Sequence, residues 1–499
     1  MKKMTLKKLF GGICCAAMAM FAVSCAQGVD DETWTSGVSG VQLESPAADA
    51  IAFSLATDAN GNEKVKVQWP VSMGAGGYEI TVLNVNDPEN PEVVVDHETV
   101  DGCSYLFPLA EDTNYEVSVL TLGNEKYNNA GAAAATTVAY SSMIGGVTIP
   151  AGTEIGQFIT DYMTQHLDEY KANLAADPNF EWAFDLERGA AYTLDVPAEF
   201  GLIPVRLRGT LGVRPVVTVG EKGGIAIAAG FKVKNVNFDC SAMTTDGIIR
   251  CSDTQYTELE ASAFGYPGTA YYIEKPIVVE ACNFKNLAKS LVHSGNNAWA
   301  ANEIQVRNCI VQFNNPGKVE RSSFIDFYGN PGYYQGQNSK WAGVVRKVTV
   351  VNNTIYNIAS NSKSYFIRYS NVSKMNKYYP TNDGYVRMEN NTIYGKNGKQ
   401  FGNGVPKDSP FYMTAKNNNF YDCQRLDKLF QKYTAPNEMG TNTIWPAYTN
   451  NNEKNVGVLE DQGFVTPTEL DLTDSQFGGQ NFKPTGTISS TIGDPRWLN

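Results

Sequence analysis

Five short apolar runs in the second half of the chain each end on a residue that can hydrogen-bond: Ile248-Ile249-Arg250, Leu291-Val292-His293, Phe324-Ile325-Asp326, Phe366-Ile367-Arg368 and Leu429-Phe430-Gln431. Side chains alternate along a strand, so an inward middle residue sends the last one outward. Set side by side, these strands would present one exposed row: Arg250, His293, Asp326, Arg368 and Gln431. A rung near Phe401 belongs between the last two, with no clear match to the pattern. Aromatic residues crowd the neighbouring insertions, Trp299, Tyr328, Tyr333, Tyr334 and Trp341 among them. Sugar rings lay their C–H faces on aromatic rings, and arginine takes a carboxylate in two parallel bonds. Row and aromatics together make a candidate site for an acidic, pectin-like polysaccharide. The plain alternative is the solvated outside of a strand, the default place for polar side chains.

Catalysis would ask more of these residues. Elimination from a uronate needs a base active near neutral pH and a cation to offset the carboxylate. His293 could be the base, Arg250 and Arg368 the cations, and Asp326 the group that orients the histidine. Calcium-assisted elimination needs several oxygen ligands around the ion. The row supplies one carboxylate, Asp326, and the adjoining outward positions Glu280, Arg307, Val351, Glu389 and Lys416 add no cluster. Nor is there a pair of acids spaced for inverting hydrolysis. No cofactor is indicated, calcium included. Binding without catalysis is the first expectation, and a polysaccharide lyase without a metal is the second.

The elements that must hold such a row are visible as a repeat. Six segments align without gaps: Val233 to Phe238, Val279 to Phe284, Val306 to Val311, Val350 to Ile355, Met388 to Ile393 and Ala415 to Phe420. The intervals between their last residues are 46, 27, 44, 38 and 27. The shortest fits one coil of three short strands, and the longer ones carry insertions. This pattern resembles the right-handed parallel β-helix of the pectate lyase type, from about Gly145 to the C-terminus, although the Asp-Asp and Gly-His-Gly signatures of polygalacturonases are missing. Equivalent positions then stack at the strand spacing of about 4.8 Å. The last column, Phe238, Phe284, Val311, Ile355, Ile393 and Phe420, is an apolar stack. Two residues earlier come Val236, Cys282, Cys309, Asn353, Asn391 and Asn418, and the asparagines are expected to form an inward ladder. Apolar positions at helical spacing from Thr153 to Lys171 predict one helix, capped by Thr153, that covers the first coil, with His166 on its core face. From about Tyr433 the periodicity is lost, and a tail ending at Trp497 is expected to cap the last coil.

Upstream, residues 41–142 alternate in short runs such as Val65 to Trp69, Tyr78 to Val82 and Tyr115 to Val119. With Trp69 as core tryptophan and Tyr115 as corner tyrosine, this region resembles a fibronectin type III sandwich, and the resemblance implies a spacer or docking module. The whole is therefore expected to be all-β: a fibronectin type III-like sandwich, then a right-handed parallel β-helix with an N-terminal capping helix, over residues 145–499.

The first 24 residues pair four lysines with an apolar stretch, the layout of a secretory leader. Ala22-Val23-Ser24-Cys25 resembles a lipobox, which implies a lipid on Cys25, and residues 25–40 with Asp30, Asp31 and Glu32 resemble the acidic tether of surface lipoproteins in Gram-negative glycan degraders. The pairing of such a sandwich with a β-helix resembles an uncharacterised family of these lipoproteins. It implies an outer-membrane location facing outward, a membrane contact through that lipid, and glycan-uptake proteins as partners. Losing the leader lysines leaves 36 basic residues of the original 40 against 52 acidic ones, taking the formal charge from −12 to −16 and disfavouring nucleic acid. The cysteines beyond Cys25 show no C-x-x-C spacing and are expected to be small buried apolar residues rather than bridges or zinc ligands.

Overall fold

The computed structural model describes residues 38–498, apart from 59–62, 211, 266–269, 315–322, 329–342, 360–364, 370–383, 396–400, 406–410, 431–436, 448–455 and 475. The chain divides into two units, one ending at Met143 and the other starting at Ile144.

In the first unit, period-two runs become antiparallel strands: β1 (Ala52–Thr57), β2 (Glu63–Gln68), β3 (Gly77–Asn84), β4 (Glu92–Val100), β5 (Ser104–Pro108), β6 (Asn114–Leu122) and β7 (Thr136–Ser141). They form a three-stranded sheet, β1-β2-β5, and a four-stranded sheet, β4-β3-β6-β7. The inward residues Val65, Val67, Trp69, Ile80, Val82, Phe107, Tyr115 and Val117 make one core. Tyr115 folds back on its own chain: its hydroxyl donates to the Pro108 carbonyl at 3.3 Å and accepts the Ala110 N–H at 2.7 Å.

The second unit is a parallel β-helix. Among the described residues its strands stack into three parallel sheets, of eleven, ten and seven strands, which we call the first, second and third walls. One coil takes a strand from each wall in turn, as in Val205–Arg208, Val216–Val219 and Gly224–Ile227, and the next coil repeats the order. The apolar column is in register throughout: Val217, Phe238, Phe284, Val311, Ile355, Ile393, Phe420 and Ile444 lie over one another in the second wall. Phe238 and Phe284 stack with centroids 5.0 Å apart.

The asparagine ladder forms and is one rung longer than the sequence suggests. Asn353 Nδ2 donates to Asn391 Oδ1 at 3.0 Å, Asn391 to Asn418 at 2.8 Å, and Asn418 to Asn442 at 2.9 Å. Each oxygen also accepts the backbone N–H of the preceding ladder residue, at 2.9 to 3.0 Å. Cys309 and Cys282 take over above Asn353, and each thiol donates to the carbonyl two residues back, at 3.1 and 3.2 Å. All six described cysteines carry unbridged thiols. The residue before each ladder position, Asn235, Ala281, Asn308, Asn352, Asn390 and Asn417, is left-handed, with φ between 52° and 58°. Asparagine tolerates that conformation better than other side chains with a Cβ, which explains its recurrence there.

Five expectations are corrected. The single helix is two, α1 (Ile155–Gln165) and α2 (Leu167–Ala176), broken at His166. His166 is half-exposed at that break, bonded to Glu169 at 3.1 Å and stacked on Tyr162, and is not a core residue. The helix cap is Glu154, which accepts the Gly156 and Gln157 N–H groups, because Thr153 turns its hydroxyl to the Pro150 carbonyl. Coverage of the first coil stands: Ile155, Ile159 and Met163 join Tyr192, Leu194 and Ala198 in the core. Finally, the coil does not end at Tyr433. Strands Asn437–Met439, Thr443–Trp445 and Val458–Leu459 extend it. The tail after them does not cap the last coil but runs back along the second wall. Its bonds include Asn237 Nδ2 to the Leu472 carbonyl, the Leu470 N–H to Gln312 Oε1, Thr354 Oγ1 to Asp494 and Asn419 Nδ2 to the Ile492 carbonyl. Trp497 is buried there, halfway along the coils, its Nε1 on Thr354 Oγ1 at 2.6 Å.

Candidate functional site

Four of the five row residues are register partners in the third wall: Arg250 beside His293, His293 beside Asp326, Asp326 beside Arg368. The spacing of parallel strands puts neighbours about 4.8 Å apart along this line. Gln431 lies outside the described residues, and the run before it is no strand: Leu429 and Phe430 belong to a short helix, α3 (Asp427–Phe430). The partner of Arg368 is Asn403. At the other end the row continues through Ala226 to Glu199. Asn403 had a signal in the sequence, since Phe324, Phe366 and Phe401 stack at 4.7 and 4.5 Å and each stands two residues before a member of the row. Glu199 had none.

The row is not the water-washed stripe that alternation alone predicts. Asp326 is 0% exposed and His293 5%, whereas Arg250 and Arg368 are half-buried. The Tyr328 ring lies 3.6 Å from the Arg368 guanidinium carbon, and the Tyr365 ring 5.0 Å from it. Trp299, expected as a sugar platform, is wholly buried, with its Nε1 on the Ser252 carbonyl at 2.9 Å and its ring 5.3 Å from Tyr271. Tyr333, Tyr334, Trp341 and the anchor Cys25 lie outside the described residues.

The buried pair has defined partners. Asp326 accepts the Tyr328 N–H at 3.0 Å on one oxygen and the Ser323 hydroxyl at 3.2 Å on the other. Burial pushes its carboxyl above the usual carboxylate range, while His293 and Arg368 pull it back. His293 Nδ1 receives the Gly295 backbone N–H at 3.0 Å. In the neutral ring, an Nδ1 that accepts this N–H leaves the proton on Nε2, so Nδ1 is engaged and not open to a substrate proton. Glu199, at the far end of the row, takes the Ser252 hydroxyl at 3.0 Å, and burial raises its carboxyl against the pull of Ser252 and Arg250.

Arg368 is the member with spare capacity. Its Nε and one terminal nitrogen are buried and have no hydrogen-bond partner. A guanidinium resting on an aromatic face keeps its in-plane donors free for an acceptor arriving edge-on. Among the described residues no group of three or more His, Cys, Asp or Glu side chains could hold a metal ion.

Residues 1–189 match a family described as a domain of unknown function. No curated protein sequence matches the chain. Among solved structures the chain is similar to pectate lyase PelI from Erwinia chrysanthemi in complex with tetragalacturonic acid, with 11% identity over 70% of this chain and 87% of that one, at a TM-score of 0.24. It is also similar to pectate lyase Pel3 from Pectobacterium carotovorum, with 9% identity over 71% and 89% of the two chains and a TM-score of 0.21. A PL6 family alginate lyase, AlyGC, matches with 11% identity over 64% of this chain and 54% of that one, at a TM-score of 0.18.

Proposed function

We propose that this chain is a lipid-anchored surface protein that binds an acidic polysaccharide for capture and uptake, without cleaving it. Cys25 would carry the anchor in the outer membrane, the N-terminal sandwich would act as a spacer of the fibronectin type III kind, and outer-membrane uptake proteins would receive the glycan. The observation that carries the reading is Arg368: two buried donors without acceptors, on a tyrosine face, in a row whose neighbouring carboxylate, Asp326, is already hydrogen-bonded. A uronate carboxylate supplies two acceptors in one plane, and its sugar ring supplies an apolar face for a tyrosine.

The second reading, a lyase acting by β-elimination, draws on the same row, with His293 as base, Arg250 and Arg368 as cations and Asp326 as the orienting group. The Gly295 N–H on His293 Nδ1 weighs against it. One experiment addresses both. The purified mature protein is titrated with oligogalacturonate and with alginate oligomers, and ultraviolet absorbance is followed for an unsaturated product. Binding is expected without product, and Arg368→Ala should weaken it about tenfold or more, the worth of a charge-assisted bond. Product that disappears in His293→Ala would replace this reading with the lyase, and unchanged affinity in Arg368→Ala would remove the site.

A further inference from the structure

The first coils carry a second concavity, away from the row. Helix α2 presents Lys171, Leu174 and Ala175, with Pro178 just beyond its end, on one face at helical spacing. That face closes only partly against the core: Leu174 packs on it while staying half-buried, and Tyr170 is the only residue that α2 buries completely. It borders a cleft of about 430 Å³ whose other walls are wall-to-wall turns at Leu202 and Ala229, and Leu259 and Phe264 from the segment that follows Cys251. The turns pack closely here, since a Cβ on Gly230 would lie 2.5 Å from the Lys275 Cβ.

The rim is polar and balanced. Lys171 and Glu258 pair across it at 3.6 Å, and Glu274 and Lys275 stand beside them, two acids against two lysines. Such a rim provides no net field to draw in an ion, while the floor is almost wholly apolar. Burial also holds the Lys275 ammonium below its usual range, as expected beside a low-dielectric cleft. The volume falls within the range of pockets that enclose a small organic molecule.

We infer that this cleft between α2, the first turns and the Leu259–Phe264 segment is a binding site for an uncharged, predominantly apolar small molecule. Its ligand differs in chemistry from an acidic glycan, so the site stands or falls apart from the row in the third wall. The test titrates the mature protein with Nile red, an uncharged dye whose emission shifts to the blue in apolar surroundings, and in parallel with the anionic dye 1-anilinonaphthalene-8-sulfonate. One saturable Nile red site is expected, weakened at least tenfold by Ala229→Trp, which fills the cleft, and by Leu174→Asp, which places a charge on its wall. Leu174 packs partly on the core, so Leu174→Asp should keep its circular dichroism at a lowered melting midpoint, and Ala175→Asp, exposed on the same face, should weaken dye binding without that loss. Arg368→Ala should bind the dye as the parent does. Absence of a saturable site, or equal binding by parent and all three variants, would overturn the assignment. Binding of the anionic dye as tight as that of Nile red would overturn the choice of an uncharged ligand.

Discussion

Replacing Asn391 by leucine is the sharpest probe of the coiled wall. In the parent its Nδ2 donates to the Val350 carbonyl at 2.8 Å and to Asn418 Oδ1 at 2.8 Å, and its Oδ1 accepts the Asn353 backbone N–H at 3.0 Å and Asn353 Nδ2 at 3.0 Å. Leucine removes all four bonds at a position with 0% exposure. The losses are unequal. Asn353 Nδ2 keeps the Val306 and Val351 carbonyls, and Asn418 Oδ1 keeps the Asn391 N–H. The Asn353 N–H is left with nothing, and the Val350 carbonyl loses a donor. A buried orphan costs about 1 to 3 kcal/mol, partly offset by the apolar side chain gained, so a net loss of about 2 kcal/mol is expected. Asn391→Cys should lose less, because Cys309 shows a thiol reaching the carbonyl two residues back. Asn391→Asp should lose most, since its second oxygen would face the Val350 carbonyl and Asn418 Oδ1. Urea denaturation gives the order of stability, and hydrogen exchange on a peptide holding Asn353 tests the cause directly. Parent-like exchange at that amide in Asn391→Leu would refute the ladder as the source of the stability.

Further outcomes follow from single observations. Ala281 is the one non-asparagine in the left-handed column, with φ 52°, so Ala281→Gly should stabilise the protein by about 1 kcal/mol in the same urea assay. In a chain lacking the leader and Cys25, one thiol, that of half-exposed Cys103, should react quickly with a thiol reagent in the native state; the other five are buried, and burial pushes Cys282 up to about 12. Asp326 is held above its unfolded value by burial, so its neutral form favours the fold at low pH and that advantage is lost as pH rises through the folded value. Asp326→Asn should therefore gain in urea midpoint relative to the parent at pH 8, and the gain should shrink toward pH 4; a difference independent of pH would refute this.

The coil was legible because stacking forces chemistry to repeat. A residue bonded to its own counterpart one rung away must recur, and Asn353, Asn391 and Asn418 do. Strand alternation likewise placed Arg250, His293, Asp326 and Arg368 in line. Where the pattern broke, a local contact broke it. At the Asn403 rung the inward apolar residue is Gly402, because a Cβ there would come within 3.0 Å of Leu429 in α3. The last rung, Met439 to Ile444, carries Thr441 where five of the other six have asparagine, and so hid Asn442. Burial of His293, Asp326 and Trp299 was beyond any periodic argument, because alternation assigns a face to a side chain and not what lies over that face.

The returning tail has a consequence for how the molecule comes into being. In a simple stack each repeat touches only its neighbours, so it can assemble from one end as it is synthesised. Here Asn237 waits for Leu472, 235 positions later, and Thr354 for Asp494, 140 positions later. The flank of the early coils therefore stays unfinished until the closing residues have emerged. A chain stopped a few dozen residues short would expose that flank to chaperones and proteases, which makes the strap a checkpoint for completeness.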